Sequence, residues 1–300
     1  MLRNTRWGWS WRRAAAMLAI TALQLWSGQL STAAESDRGS AAVKGGQDLA
    51  ARDVPAVDVA DYDRLLRTYV TDDGWVDYTS LARERAALDH FLEQLAGVSP
   101  ADYKNTSDRL AFWINAYNGF TLADALDTVY GKHEGVRQVN GFFDKRKHRV
   151  AREQLTLDQI EKRGRDLHDP RIHFAIVCAS ASCPKLQRFA YTGDKLDSQL
   201  DQAAREFLAD PHRGLRYDAK DNGLYVSPIF KWYAGDFTGN EGSLWARAKA
   251  TVSGSELLDF IARYAPADVA GRIREHPPTL HYFDYDWSLN SLSSHAGTER

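Results

Sequence analysis

Apolar residues recur with one period in the first half of the chain and another in the second, and the change orders the fold. Tyr62, Leu65, Leu66 and Tyr69 share one helical face, and Leu81, Leu88, Leu92 and Leu95 share another. Asp72-Asp73-Gly74 between them reads as a turn. Ser107 or Asp108 is placed to cap a longer helix running to about Tyr130, with Leu110, Trp113, Ile114 and Tyr117 as its apolar stripe. That helix is expected to be central and buried.

Strand signals follow. Residues 147–152 and 171–178 read as strands, the second one buried, and Thr156-Leu157-Asp158-Gln159 has capping-box spacing into a short helix. Leu196, Leu200, Phe207 and Leu208 define an amphipathic helix opened by Thr192 or Asp194. Residues 215–217 and 224–226 flank a Lys220-Asp221-Asn222-Gly223 turn, which predicts a hairpin. Helices are expected near 244–252 and 255–264, and a closing strand at 279–285. Helices first and a mostly antiparallel sheet later predict a single α+β domain with a long central helix, not a doubly wound α/β sheet.

The N-terminus predicts export. Arg3, Arg6, Arg12 and Arg13 form a positive region, residues 14–26 an apolar one, and Ser31-Thr32-Ala33-Ala34 offers small residues to a signal peptidase. An apolar run of about 13 residues falls short of the roughly 20 that a spanning helix needs, so cleavage is expected and no stable membrane span after it. The Arg12-Arg13 pair raises the twin-arginine route, but plain alanines follow it, which favours general secretion; no lipobox cysteine is present. The expected layout is a signal peptide at 1–34, a flexible spacer rich in Ala, Gly, Ser and charge at 35–56, one domain at 57–290 and a disordered tail at 291–300. A periplasmic or secreted location goes with it.

With 44% hydrophobic and 26% charged residues, the chain of 300 can bury a real core. Its formal net charge of -2 gives no reason to expect a nucleic-acid partner, and the basic run from Lys145 to Arg149 reads as a solvated strand edge or loop. Cys178 and Cys183 both lie in the exported part. In an oxidising compartment such a pair reads first as a disulfide, with two free thiols or one catalytic thiol as the alternatives. Zinc-finger ligand spacing is absent and no metal site is expected; no cofactor is named by the sequence.

Four segments combine bulky apolar residues with polar groups that a plain core would not choose: 112–118 (Phe-Trp-Ile-Asn-Ala-Tyr-Asn), 173–184 (His-Phe-Ala-Ile-Val-Cys-Ala-Ser-Ala-Ser-Cys-Pro), 229–237 (Ile-Phe-Lys-Trp-Tyr-Ala-Gly-Asp-Phe) and 285–290 (Tyr-Asp-Trp-Ser-Leu-Asn). Together with the Gly74-Trp75-Val76-Asp77-Tyr78 turn and the Leu157-Asp158-Gln159-Ile160-Glu161 helix, they resemble the signature segments of the domain of unknown function 547 family, from about Tyr69 to Asn290. The resemblance implies little about activity.

The residues themselves suggest roles. Asn115 and Asn118 share a helix face where an unpaired amide costs about 1 to 3 kcal/mol, so they either lock neighbouring loops or bind a ligand. If Cys183 opens a helix with Pro184 at its first position, its thiol would be activated; the plainer reading is a structural disulfide clamping a tight loop. His173 reads as a core histidine bonded to a carbonyl, or as a base, although an ideal strand would turn it away from Cys178. Lys231 and Asp236 suggest an internal ion pair, and Asp286 either caps a helix or orients a histidine such as His281. Three functions follow: binding of a small ligand or peptide partner in a polar groove around the cysteine loop, with Asn115, Asn118, Trp113, Trp232 and Asn290 lining it; a thiol-dependent hydrolase or acyl transferase using Cys178 or Cys183 with His173 or His281 and Asp286; and a dithiol redox module. The first is the leading expectation, and it requires the four segments to converge.

N-terminal sequencing of exported protein tests the layout. The first residue is expected at Ala34 or Glu35, and recovery of Trp9 or Trp26 in the mature chain contradicts it.

Overall fold

The expected central helix is α4, Thr106–Thr128, and every residue of it from 110 to 125 is buried. A helix buried on all sides has to be enclosed on all sides, so α4 sets the position of its neighbours. Its cap is Asn105, upstream of the Ser107 or Asp108 expected, whose side chain accepts from the Asp108 N–H at 2.7 Å. The computed structural model describes residues 57–239 and 254–298; the expected signal peptide, spacer and 244–252 helix lie outside the described residues. Among the described residues no helix is long and apolar enough to cross a membrane.

Around α4 lie α1 (Ala60–Tyr69), α2 (Tyr78–Leu81) and α3 (Arg85–Gly97), with the Tyr62 and Phe91 rings stacked at 4.2 Å between α1 and α3. The expected 147–152 strand is shorter and opens a hairpin: β1 (His148–Val150) pairs antiparallel with β2 (Glu153–Leu155) through a turn whose Ala151 and Arg152 have positive φ. Most of the basic run before it is exposed, but His148 is buried against Asp124, and Arg146 reaches the same carboxylate at 2.7 Å. Next, α5 (Leu157–Arg165) opens on the expected capping box, with Thr156 and Gln159 exchanging hydrogen bonds. Gly164 lets α5 lie close, because a Cβ there would stand 2.6 Å from Ile172 Cδ1.

A second core gathers α6 (Leu196–Ala209), β3 (Leu215–Asp218), β4 (Gly223–Val226), the single turns α7 (Ile229–Trp232) and α8 (Ala234–Phe237), then α9 (Gly254–Tyr264), α10 (Ala267–Glu275) and β5 (Thr279–Tyr282). The expected hairpin is present: β3 and β4 pair antiparallel from Leu215 opposite Val226 to Asp218 opposite Gly223, with Asn222 at φ 51° in the turn. β5 joins β4 in parallel. The architecture is α+β.

Three expectations need correction. Residues 171–178 are not a strand: Pro170–Phe174 is a 3-10 turn capped by Asp169, followed by an irregular run. The segment passes between the two cores, Ile172 feeding one and Phe174 the other, where no strand edge is offered. Its backbone is satisfied instead by Asn118, whose Nδ2 donates to Ala175 O at 2.9 Å and whose Oδ1 accepts from Val177 N at 2.8 Å. Asn115 does the same for Tyr191, at 2.7 and 2.9 Å. Each amide stands in for a rung of a sheet ladder. Asp236 does not pair with Lys231; it takes Arg165 and His173, while Lys231 sits over the Tyr282 ring. The segment expected as a disordered tail forms a short helix, α11 (Leu292–Thr298), after Ser291 pairs with Val76.

Asn118→Leu keeps the volume but strands a buried carbonyl and a buried N–H. It is expected to cost about 3 kcal/mol, read as a fall in the urea midpoint with the slope unchanged.

Candidate functional site

Cys178 and Cys183 are joined as a disulfide, with Cα atoms 6.4 Å apart. Ala179, at φ 60°, turns the chain between them, a left-handed conformation that costs a non-glycine residue about 1 to 3 kcal/mol. The C-terminal segment holds that turn in place: Asn290 N donates to Ala179 O (3.1 Å), Ala181 N to Ser288 O (2.8 Å), Ser182 N to Asp286 O (3.2 Å), and Asp286 N to Ser182 Oγ (2.9 Å). Asp286 itself is exposed, and its carboxylate accepts from Ser288 N at 2.9 Å, so it shapes its own turn. The Asn290 side chain accepts from the Tyr78 hydroxyl at 2.9 Å. On the outer side Gly135 pairs with Ser288, and a Cβ at Gly135 would collide with the Trp287 carbonyl.

The sulfurs sit among hydroxyl and amide groups. Cys183 Sγ accepts from Cys178 N at 3.0 Å and from the Tyr285 hydroxyl at 3.2 Å. Cys178 Sγ lies 3.0 Å from Ser180 Oγ and 3.4 Å from the Tyr285 hydroxyl, and Ser180 donates to Tyr285 at 3.1 Å. Burial pushes the Tyr285 phenol up, so it stays protonated and able to donate.

Above this loop three rings form a wall. Trp232, 45% exposed, lies 4.9 Å from Tyr285 and 5.7 Å from Trp287; Tyr285 and Trp287 are 4.6 Å apart. The Arg137 guanidinium covers the Trp287 ring at 5.1 Å. Trp113, in contrast, is buried beneath α5 and meets Phe112 edge-on.

Tyr233, the next residue after Trp232, belongs to a charged cluster. His173 Nε2 lies 2.7 Å from Asp236 Oδ2, and Arg165 grips the same carboxylate through two bonds of 2.6 and 2.9 Å. The Tyr233 ring meets the His173 ring at 4.1 Å, tilted by 30°, and carries the Arg165 guanidinium over it at 4.8 Å. Burial works against the Asp236 charge, but the bonds from His173 and Arg165 hold its carboxyl well below the usual range. Glu161, one turn before Arg165 and with its side chain only 13% exposed, goes the other way: burial pushes it up to about 7, against the Tyr233 hydrogen bond and the Arg165 charge.

The polar segments thus do meet, but not as a ring of free amides. Asn118 and the 286–290 segment flank the cysteine loop and spend their groups on its backbone, while Asn115 secures Tyr191. His173 binds the Asp236 carboxylate through Nε2, and His281 stacks on Tyr225 at 4.8 Å. Sequence reasoning passed over Glu161, Arg165 and Tyr233. A signal existed for Glu161: it follows Leu157 by four residues, on the same face as the buried Ile160 and Gly164, where a carboxylate is out of place. A separate cavity of about 560 Å³, lined among others by His168, Arg171, Asp197 and Tyr264, includes none of the expected site residues. Among the described residues no group of three or more His, Cys, Asp or Glu side chains is arranged to hold a metal ion.

A buried helix, a cysteine loop pinned between it and residues 286–290, and an aromatic wall over that loop make up the candidate site of an α+β domain. Residues 101–208 match the model of the family described as "Protein of unknown function, DUF547", the family its segments resemble. No curated protein and no solved structure matches the chain.

Glu161 ties stability to pH. Its folded pKa of about 7 lies above the ordinary 4.5, so its stabilising share is complete below 4.5 and is lost as pH rises through 7. Wild type is expected to lose about 3 kcal/mol from this group between pH 4.5 and 8, and Glu161→Gln to flatten that slope in urea titrations at pH 5 and pH 8.

Proposed function

We propose that this domain is an exported binding module that takes a small ligand or a short peptide in a polar groove around the cysteine loop. The observation that carries the reading is the aromatic wall: Trp232 is the most exposed large apolar side chain among the described residues, and it stands against Tyr285 and Trp287 directly over the loop. Flat rings beside a few fixed polar groups are the usual lining of a ligand site. Trp232 and Tyr233 join that wall to the cluster of Glu161, Arg165 and Asp236, which brings both signs of charge together beside it. The ligand expected is one with a flat or apolar face and hydrogen-bonding groups at its edge. Export rests on the N-terminal pattern of charge, apolar run and small residues. The thiol-hydrolase reading has less support: both sulfurs are bonded to each other, and His173 Nε2 faces Asp236.

Titration of intrinsic tryptophan fluorescence with a panel of short peptides and oligosaccharides tests the groove. Saturable quenching by at least one probe is expected in wild type, weakened tenfold or more in Trp232→Ala with the urea midpoint kept. Equal affinity in the variant places the binding elsewhere.

A further inference from the structure

A disulfide that holds a loop together should be the main thing holding it, and this one is not. The Asn118 amide fixes Ala175 and Val177 on one side of the turn, and four hydrogen bonds to residues 286–290 fix Ala179, Ala181 and Ser182 on the other. A bridge across a sequence separation of 5 also restrains the unfolded chain less than a long-range bridge does. The loop would keep its shape with the sulfurs apart.

What surrounds the sulfurs suits the broken bond. Cys183 Sγ accepts two hydrogen bonds, from Cys178 N and from the Tyr285 hydroxyl, which Ser180 polarises in turn. Such donors stabilise a thiolate far more than a neutral disulfide sulfur. The two sulfurs also differ in access: Cys183 is 4% exposed, whereas Cys178 is only half-buried.

We propose that Cys178–Cys183 is an exchangeable disulfide that oxidises an external dithiol, with Cys178 as the sulfur attacked and Cys183 as the leaving group. The dithiol's first thiolate attacks Cys178 Sγ; the S–S bond breaks, and its electron pair departs on Cys183 Sγ, held by Tyr285 and the Cys178 N–H until it takes a proton. The dithiol's second thiolate then displaces Cys178 from the mixed disulfide. Two electrons and two protons pass to the protein, and the partner leaves as a disulfide. This does not rest on ligand binding in the groove, since its readouts are those of thiol chemistry alone.

The test is reduction of the folded protein by dithiothreitol and by glutathione buffers, followed by alkylation and mass measurement, with circular dichroism recorded alongside. Native protein is expected to become reduced in glutathione buffers in which structural disulfides stay oxidised, with its spectrum unchanged. Tyr285→Phe, which keeps the ring, is expected to slow reduction about tenfold. In Cys183→Ser the remaining Cys178 is expected to react with an aromatic disulfide reagent at least tenfold faster than Cys183 does in Cys178→Ser. Reduction only in urea, loss of the native spectrum on reduction, or a Tyr285→Phe rate equal to wild type overturns the proposal.

Discussion

The backbone of residues 175–183 crosses the interior with no sheet to join, and its N–H and C=O groups must still be paired. Asn118 answers from one side and the 286–290 segment from the other. Because both are held by larger elements, α4 below and the closing chain above, the loop is stiff without being regular. That stiffness lets Ala179 keep a costly φ and keeps the sulfurs, Ser180 and Tyr285 in register. The aromatic wall inherits the same frame, since Tyr285 and Trp287 are on the strap that pins the loop.

The second organising fact is the position of the 3-10 turn between two cores. Ile172 and Phe174 point into different clusters, so His173 between them is enclosed, and an enclosed imidazole needs a partner. Asp236 supplies it, and Arg165 balances the carboxylate. The result ties α5, the turn and α8 together through one carboxylate 63 residues from the histidine it meets. Glu161 lies beside this arrangement with less compensation, which is why its carboxyl shifts upward when that of Asp236 shifts downward.

Where local chemistry decides the outcome, the sequence was readable. The Thr156–Gln159 capping box, the Asn222 turn and the apolar stripe of Leu110, Trp113, Ile114 and Tyr117 on α4 each act within a few residues, and each element stands where its pattern points. Residues 171–178 misled because a short apolar run has no period of its own; whether it becomes a strand depends on a neighbouring edge, and here two side-chain amides took the place of one. The same limit hid the partner of Asp236: Lys231 is close in sequence, but Arg165 and His173 are close in space. The cysteine loop, the segments that meet on it and Trp232 were identifiable from their composition. That the asparagines would serve the backbone was one of two readings left open, and only the carbonyl and N–H facing each amide distinguish them.

Asn290 bonds to Val76 and Ala179 through its backbone and to Tyr78 through its side chain, a partner 212 residues earlier. Asn290 therefore fastens residues 76–78 and the cysteine loop to one another. Helices of the first half can form as they emerge, since their contacts are local, but the knot that fixes the cysteine loop has to wait until residue 290 has been made. Until then the nascent domain is an unlatched structure, open to chaperones and to proteases. A chain ending even a few residues short of Asn290 would be left in that condition permanently.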